Sequence, residues 1–141
     1  MRKPLMALLG LLALCSTAEA KSDFTGPDFS GTYDCTGDDS HEGQYTGTVT
    51  LELVRAQSFD QYGAYNFKLE VPGYGTYVGQ AAAQGTHMGV YFALTDRSTR
   101  DYGTGIASLV RNEAGKWTFD KYYYEPEFKG GNFGTEKCVQ R

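Results

Sequence analysis

Apolar and polar residues alternate with a period of two along most of the chain after residue 28. Residues 44–54 give the clearest case, since Val49 and Leu51 alternate with threonines. A period of two sends successive side chains to opposite faces of a β-strand, so that one face is buried and the other is solvated. No stretch has a sustained period of 3.6 residues, so no helix is predicted.

Eight segments carry this strand pattern. The stretches between them are rich in glycine, aspartate, asparagine and proline, the residues that favour turns. The predicted strands are residues 29–36, 44–54, 64–71, 76–84, 87–95, 102–111, 116–124 and 135–140. The predicted connections include the turn at 37–43 and the loop at 125–134, and none is longer than ten residues. Because such connections are too short for crossover helices, the segments predict an all-β antiparallel meander.

The first 20 residues have the pattern of a cleavable secretory signal. Arg2 and Lys3 precede an apolar run, and Ala18-Glu19-Ala20 matches an A-x-A cleavage site. The run is shorter than the ~20 residues that span a bilayer. We therefore expect residues 1–20 to be a signal peptide and residues 21–141 to be one exported domain, bacterial, periplasmic or extracellular, with no membrane span. A retained anchor and a lipid attached at Cys15 are the alternatives.

Two cysteines are left in the mature chain, Cys35 near its start and Cys138 near its end. In an oxidising compartment two cysteines indicate one disulfide, here closing a loop of about 100 residues. A disulfide brings the first strand beside the last. An eight-stranded meander whose ends adjoin is a closed barrel, similar in architecture to lipocalins and avidins, and a β-sandwich is the alternative.

The charge pattern excludes some classes of partner. The 141 residues hold 17 acidic and 13 basic residues, a net charge of −4, and the basic residues are scattered singly. Nucleic acids and anionic membrane surfaces both require concentrated positive charge, so neither is an expected partner. Nothing in the sequence predicts the oligomeric state.

Aromatic residues dominate the composition, with 11 Tyr, 8 Phe and one Trp. An eight-stranded barrel is just wide enough to be filled by side chains or to hold one small ligand. The sequence favours a non-enzymatic binding protein for a small apolar or aromatic ligand, with small residues such as Ala81 and Gly103 making room. The predicted ligand-binding residues are Tyr65, Phe67, Phe92 and Trp117.

A protein-interaction module, such as a periplasmic inhibitor of a lysozyme-type envelope hydrolase, is the alternative function. The chain resembles bacterial lysozyme inhibitors in being small, exported, disulfide-tied and rich in β-structure. Ser30-Gly31-Thr32-Tyr33 is one residue shorter than their Ser-Gly-x-x-Tyr signature, so none of their functional residues is carried over. The predicted partner surface consists of Tyr122, Tyr124, Glu125, Glu127 and Phe128.

Catalytic and cofactor motifs are not found. The chain has two histidines, no Gly-x-Ser-x-Gly elbow and no phosphate-binding glycine loop, so we expect neither an enzyme nor a cofactor. The acidic stretch at 38–42 is a weak candidate for a divalent cation, because carboxylates suit calcium and imidazole suits zinc. Its potential ligands are Asp38, Asp39, His41 and Glu42. A solvated turn is the alternative.

Overall fold

Eight antiparallel strands close into one barrel in the computed structural model, which describes residues 20–141. The strands are β1 Gly31–Asp39, β2 Gly43–Leu53, β3 Tyr62–Val71, β4 Gly75–Gln84, β5 His87–Leu94, β6 Tyr102–Arg111, β7 Trp117–Glu125 and β8 Asn132–Gln140. Each strand pairs with its neighbours in sequence, and β1 pairs with β8. The predicted all-β meander and its closure are confirmed, and the alternative β-sandwich is wrong.

The closing pair of strands carries the disulfide. Cys35 in β1 lies opposite Cys138 in β8, and their Cα atoms are 4.1 Å apart. The bridge spans 103 residues and lies inside the barrel, where both cysteines are buried. The predicted pairing is therefore confirmed.

Two of the predicted connections, residues 37–43 and 125–134, are shorter in the structure. β1 continues to Asp39 and β8 begins at Asn132, inside the segments predicted as turn and loop. These extensions pair with each other, since Asp39 lies opposite Gly134. Pairing across the barrel seam thus extends both strands beyond the limits that their own residues indicate.

One end of the barrel is filled by aromatic side chains. Phe29, in the segment before β1, is fully buried and packs edge-on against Trp117 with 4.7 Å between ring centroids. The hydroxyl of Tyr33 donates to the Phe29 carbonyl oxygen at 2.7 Å, and that of Tyr65 donates to the carbonyl oxygen of Pro27 at 3.1 Å. This plug of rings closes the end where the chain enters the barrel.

An ion pair lies in the middle of the barrel. Lys121 in β7 and Glu136 in β8 face each other across the strands, and both are at most 3% exposed. The Lys121 Nζ is 2.7 Å from Glu136 Oε1, and the hydroxyl of Tyr45 donates to Oε2 at 2.7 Å. Removing an ion from water costs free energy, so either charge buried without the other would destabilise the barrel.

The predicted signal peptide lies outside the described residues, apart from Ala20. Within residues 20–141 the helices are three short 3₁₀ turns, and none is long and apolar enough to cross a membrane. The turns are Arg55–Gln57, Arg97–Thr99 and Phe128–Gly130.

We expect the double variant Cys35→Ser/Cys138→Ser to lose about 4–5 kcal/mol of unfolding free energy, because the bridge no longer limits the unfolded chain. Urea denaturation followed by Trp117 fluorescence measures this loss. An unchanged urea midpoint would mean that the β1–β8 hydrogen bonds alone hold the barrel closed.

We expect Lys121→Met to cost about 3–5 kcal/mol, because the buried Glu136 carboxylate loses its counter-ion. The control is Lys137→Met, since Lys137 pairs with Asp120 on the outside at 4.0 Å with both side chains about 80% exposed. An exposed pair contributes about 0–1 kcal/mol. Equal shifts of the thermal midpoint in the two variants would contradict a structural role for the buried pair.

Candidate functional site

A cavity of about 70 Å³ lies in the half of the barrel opposite the aromatic plug. Its side walls come from the ends of the strands near the β1–β2 and β3–β4 hairpins, and it reaches the surface beside the exposed Tyr74 and Glu42. A cavity needs roughly 10–15 Å³ to hold one water molecule, so this one has room for a small organic group. Its lining side chains are Asp39, Glu42, Tyr45, Leu69, Val71, Tyr74, Tyr77, Phe92, Asp101, Lys121, Tyr123, Glu125 and Phe128.

Aromatic rings form a continuous chain along the cavity. Tyr74 and Tyr77 are nearly parallel, with 6.3 Å between their centroids. Phe92 meets Tyr77 edge-on at 5.9 Å and Tyr123 edge-on at 5.8 Å. Burial and nearby carboxylates raise the pKa of Tyr77, and they raise that of Tyr74 to about 12. These hydroxyls therefore stay protonated across the physiological pH range.

Glycines facing inward leave room for the larger side chains of the site. A Cβ atom at Gly105 would lie 3.1 Å from two carbons of the Lys121 side chain. A Cβ at Gly37 would lie within 2.5 Å of the Tyr45 ring, and one at Gly134 would lie 2.3 Å from the Tyr123 hydroxyl. A larger residue at Gly37 or Gly134 would collide with the tyrosine of the neighbouring strand, and one at Gly105 would require Lys121 to shift by a few tenths of an ångström.

Asp101 lies in the connection just before β6 and is 3% exposed. Its Oδ2 accepts hydrogen bonds from the hydroxyls of Tyr77 at 2.9 Å and Tyr74 at 3.0 Å. Its Oδ1 is buried and accepts no hydrogen bond from an N–H group or a hydroxyl in the described part of the chain. A carboxylate oxygen of this kind carries a desolvation cost that a donor relieves, and the neighbouring Glu125 carboxyl can be that donor while it is protonated.

Glu125 and Asp39 are two further carboxyl groups of the cavity wall. Asn132 donates from its Nδ2 to Glu125 Oε2 and, at 2.8 Å, to Asp39 Oδ2. Burial and then the neighbouring Asp101 carboxyl raise the pKa of Glu125 to about 8. Burial also acts on Asp39, but hydrogen bonds from Asn132, from the Glu42 and His41 backbone and from Tyr123 outweigh it and lower the pKa. At neutral pH, Asp39 is therefore ionised, while Glu125 keeps a proton that it can share with Asp101.

The four predicted ligand-binding residues lie at different depths in the barrel. Phe92 lines the cavity, and Phe67 lies deeper, with its ring 5.1 Å from the Lys121 Nζ. Tyr65 and Trp117 belong to the aromatic plug at the other end. The structure therefore brings one of the four to the cavity wall and places two of them away from it.

The acidic stretch after β1 forms a hydrogen-bonded turn. Asp39 Oδ1 accepts from the backbone N–H groups of His41 and Glu42, both at 2.9 Å. The His41 Nδ1 is 2.8 Å from Asn132 Oδ1, Glu42 pairs with Lys129, and Asp38 is exposed. A three-ligand cluster found in residues 20–141 consists of Cys35, Glu136 and Cys138, whose sulfur atoms are bonded to each other.

The predicted partner surface divides between the inside and the outside of the barrel. Tyr122 and Tyr124 point outward and are exposed, as the alternation predicts, and Glu127 is exposed beside Arg100 at 3.2 Å. Glu125 and Phe128 are buried and line the cavity instead. β7 continues to Glu125, so this residue has the same parity as Tyr123 and faces inward.

The outer faces of β5 to β8 carry a contiguous group of exposed apolar side chains. Ile106 lies opposite Tyr122, and Tyr124 lies opposite Phe133, so the group crosses three strands. Tyr91 is separated from Tyr124 only by Thr104 in the strand between them. We call this group the outer apolar surface, and it consists of Tyr91, Ile106, Tyr122, Tyr124 and Phe133.

Several residues of the site were not predicted, although the sequence held a signal for two of them. Lys121 alternates in phase with Phe119 and Tyr123, and Glu136 is in phase with Cys138, so both must point inward. Asp101 had no such signal because it lies outside a strand. Its role follows from a loop that brings it to Tyr77, 24 residues away.

A search of protein-family models and a search of curated proteins found no match to this chain.

Proposed function

We propose that this protein is an exported, non-enzymatic binding protein that holds a small apolar or aromatic ligand in the barrel cavity. The observation that carries the proposal is the cavity of about 70 Å³ in the barrel, whose wall combines aromatic rings with a few carboxyl groups. Small-molecule sites typically combine apolar and aromatic walls with placed polar groups, and this cavity has both.

The side chains of the cavity wall favour binding of a ligand that has a planar or compact apolar part. Tyr77, Phe92 and Tyr123 present ring faces and edges that favour contact with another ring. The enclosed volume limits the inserted part to a few non-hydrogen atoms. The rest of the ligand would lie at the mouth beside Tyr74, which is 47% exposed.

The disulfide supports an oxidising compartment. A bridge between Cys35 and Cys138 persists outside the cytosol, which agrees with the signal-like pattern of residues 1–20. The periplasm or the extracellular space is therefore the proposed location.

A second candidate function is binding of another protein, such as a lysozyme-type hydrolase. The outer apolar surface favours it, because contiguous exposed aromatic side chains are typical of protein interfaces. The net charge of −4 also suits a basic partner, whose approach it would steer.

We expect Val71→Trp to abolish binding of 2-phenylethanol, because Val71 lines the cavity and an indole would fill it. Val110→Trp is the control, since Val110 lies on the outer face of β6 and is 61% exposed. Isothermal titration calorimetry measures the affinity, and the β-sheet circular dichroism of both variants reports folding. Equal affinity of the two variants for 2-phenylethanol would contradict the cavity as the binding site.

For the second candidate, we expect near-stoichiometric inhibition of lysozyme by the wild-type protein. Tyr122→Ser/Phe133→Ser should weaken inhibition by roughly 700-fold, since two central aromatic contacts at ~2 kcal/mol each sum to ~4 kcal/mol. Val78→Ser, on the outer face of β4, is the control. Full lysozyme activity at a tenfold excess of the wild-type protein would remove lysozyme as the partner.

A further inference from the structure

We propose that the cavity selects protonated amines, with the ammonium group of the ligand donating hydrogen bonds to Asp101 and Glu125 while its apolar part lies against the tyrosine and phenylalanine rings. The inference rests on the proposed function, because it assigns the charge of the ligand for the same cavity. A barrel that binds neutral apolar compounds would show no such preference for a positively charged ligand.

Hydrogen-bond donors at the cavity are already used by the protein. The hydroxyls of Tyr74 and Tyr77 donate to Asp101, that of Tyr123 donates to Asp39 at 2.8 Å, and that of Tyr45 donates to Glu136. The one ammonium group among the lining side chains, Lys121, is directed at Glu136. An anionic ligand would therefore meet carboxylates without a free donor.

Hydrogen-bond acceptors of the cavity wall, by contrast, outnumber the donors that are available to them. Four of the lining side chains are carboxyl groups, and they are Asp39, Glu42, Asp101 and Glu125. The buried Oδ1 of Asp101 takes no hydrogen bond from an N–H or hydroxyl donor in residues 20–141. A ligand N–H directed at this oxygen would form a charge-assisted hydrogen bond, which is about twice as strong as a neutral one.

The rings of the cavity already hold one ammonium group. The Lys121 Nζ lies 5.6 Å from the centroid of Phe92 and 5.8 Å from that of Tyr123. A cation within about 6 Å of an aromatic centroid is attracted to the ring, more strongly where water is excluded. Phe92 and Tyr123 line the same cavity as Asp101 and Glu125, so an amine held there would lie near both the rings and the carboxyl groups.

Binding of a cation is coupled to the proton held by Glu125. Since the pKa of Glu125 is raised to about 8, this carboxyl group is protonated at neutral pH, and an incoming ammonium ion must displace that proton. Affinity therefore rises with pH up to about 8 and levels off above it. The polar and charged groups that surround Glu125 are Asp101, Asp39, Asn132, Tyr77, Tyr123 and Lys121.

Calorimetric titration of the wild-type protein with 2-phenylethylamine, 2-phenylethanol and phenylacetate tests the inference, because the three probes share one ring and differ in charge. At pH 8 we expect the amine to bind at least about tenfold more tightly than the alcohol, as a charged hydrogen bond contributes ~1.5–3 kcal/mol. Phenylacetate should bind most weakly. Between pH 6 and pH 8 the affinity for the amine should rise by about fiftyfold in total, while the affinity for the alcohol stays constant.

Asp101→Asn and Glu125→Gln each replace one carboxyl group by an amide of the same size, so they distinguish the roles of the two carboxyl groups. Asp101→Asn should bring the amine to the affinity of the alcohol, and Glu125→Gln should flatten the pH dependence of amine binding. Asp120→Asn is the control, because Asp120 lies on the outer face of β7 with its side chain 78% exposed. Unchanged binding of 2-phenylethanol shows that each variant keeps the cavity.

The outcomes distinguish the two proposals. If the alcohol binds and the amine binds no more tightly at pH 8, the preference for amines is wrong while the proposed binding function stands. If none of the three probes binds, both are wrong. Tight amine binding that persists in Asp101→Asn would also overturn the assignment of the ammonium group to this carboxylate.

Discussion

Pairing of β1 with β8 is the contact on which the rest of the structure depends. It converts an open meander with two exposed edges into a barrel that has an inside and an outside. The Cys35–Cys138 bridge ties the same two strands across the interior. Once the barrel is closed, every second side chain of each strand must find its partners within one narrow space. The plug, the ion pair and the cavity are three different outcomes of that requirement.

The ion pair in the middle divides the interior. On one side, Phe29 packs against Trp117 and Tyr65, and these rings occupy that end of the barrel. On the other, tyrosine hydroxyls and carboxyl groups face each other, and glycines such as Gly105 and Gly134 make space for them. Burying Lys121 and Glu136 together costs desolvation that apolar residues would avoid. That cost supports a functional reason for the polar half of the barrel, since stability alone does not require it.

The carboxyl groups give the cavity its chemical character. Burial, and then the hydrogen bond and the charge of the neighbouring Asp101 carboxyl, raise the pKa of Glu125 to about 8, so Glu125 holds a proton at neutral pH. The tyrosine hydroxyls direct their protons at carboxylates and reinforce the acceptor character of the wall. A ligand that brings its own positive charge would take the place of that proton.

The sequence by itself determined the strands and their inward and outward faces, because a period of two is a local pattern, and its two terminal cysteines favoured a closed barrel over a sandwich. It also contained the inward phase of Lys121 and Glu136. The tertiary structure alone decided that Glu125 lies inside, because pairing within the closed sheet extends β7 to this residue, and that Asp101 meets Tyr77, because a loop carries it there. Alternation assigns a side chain to a face, whereas the register and the loops decide what it meets and where space is left.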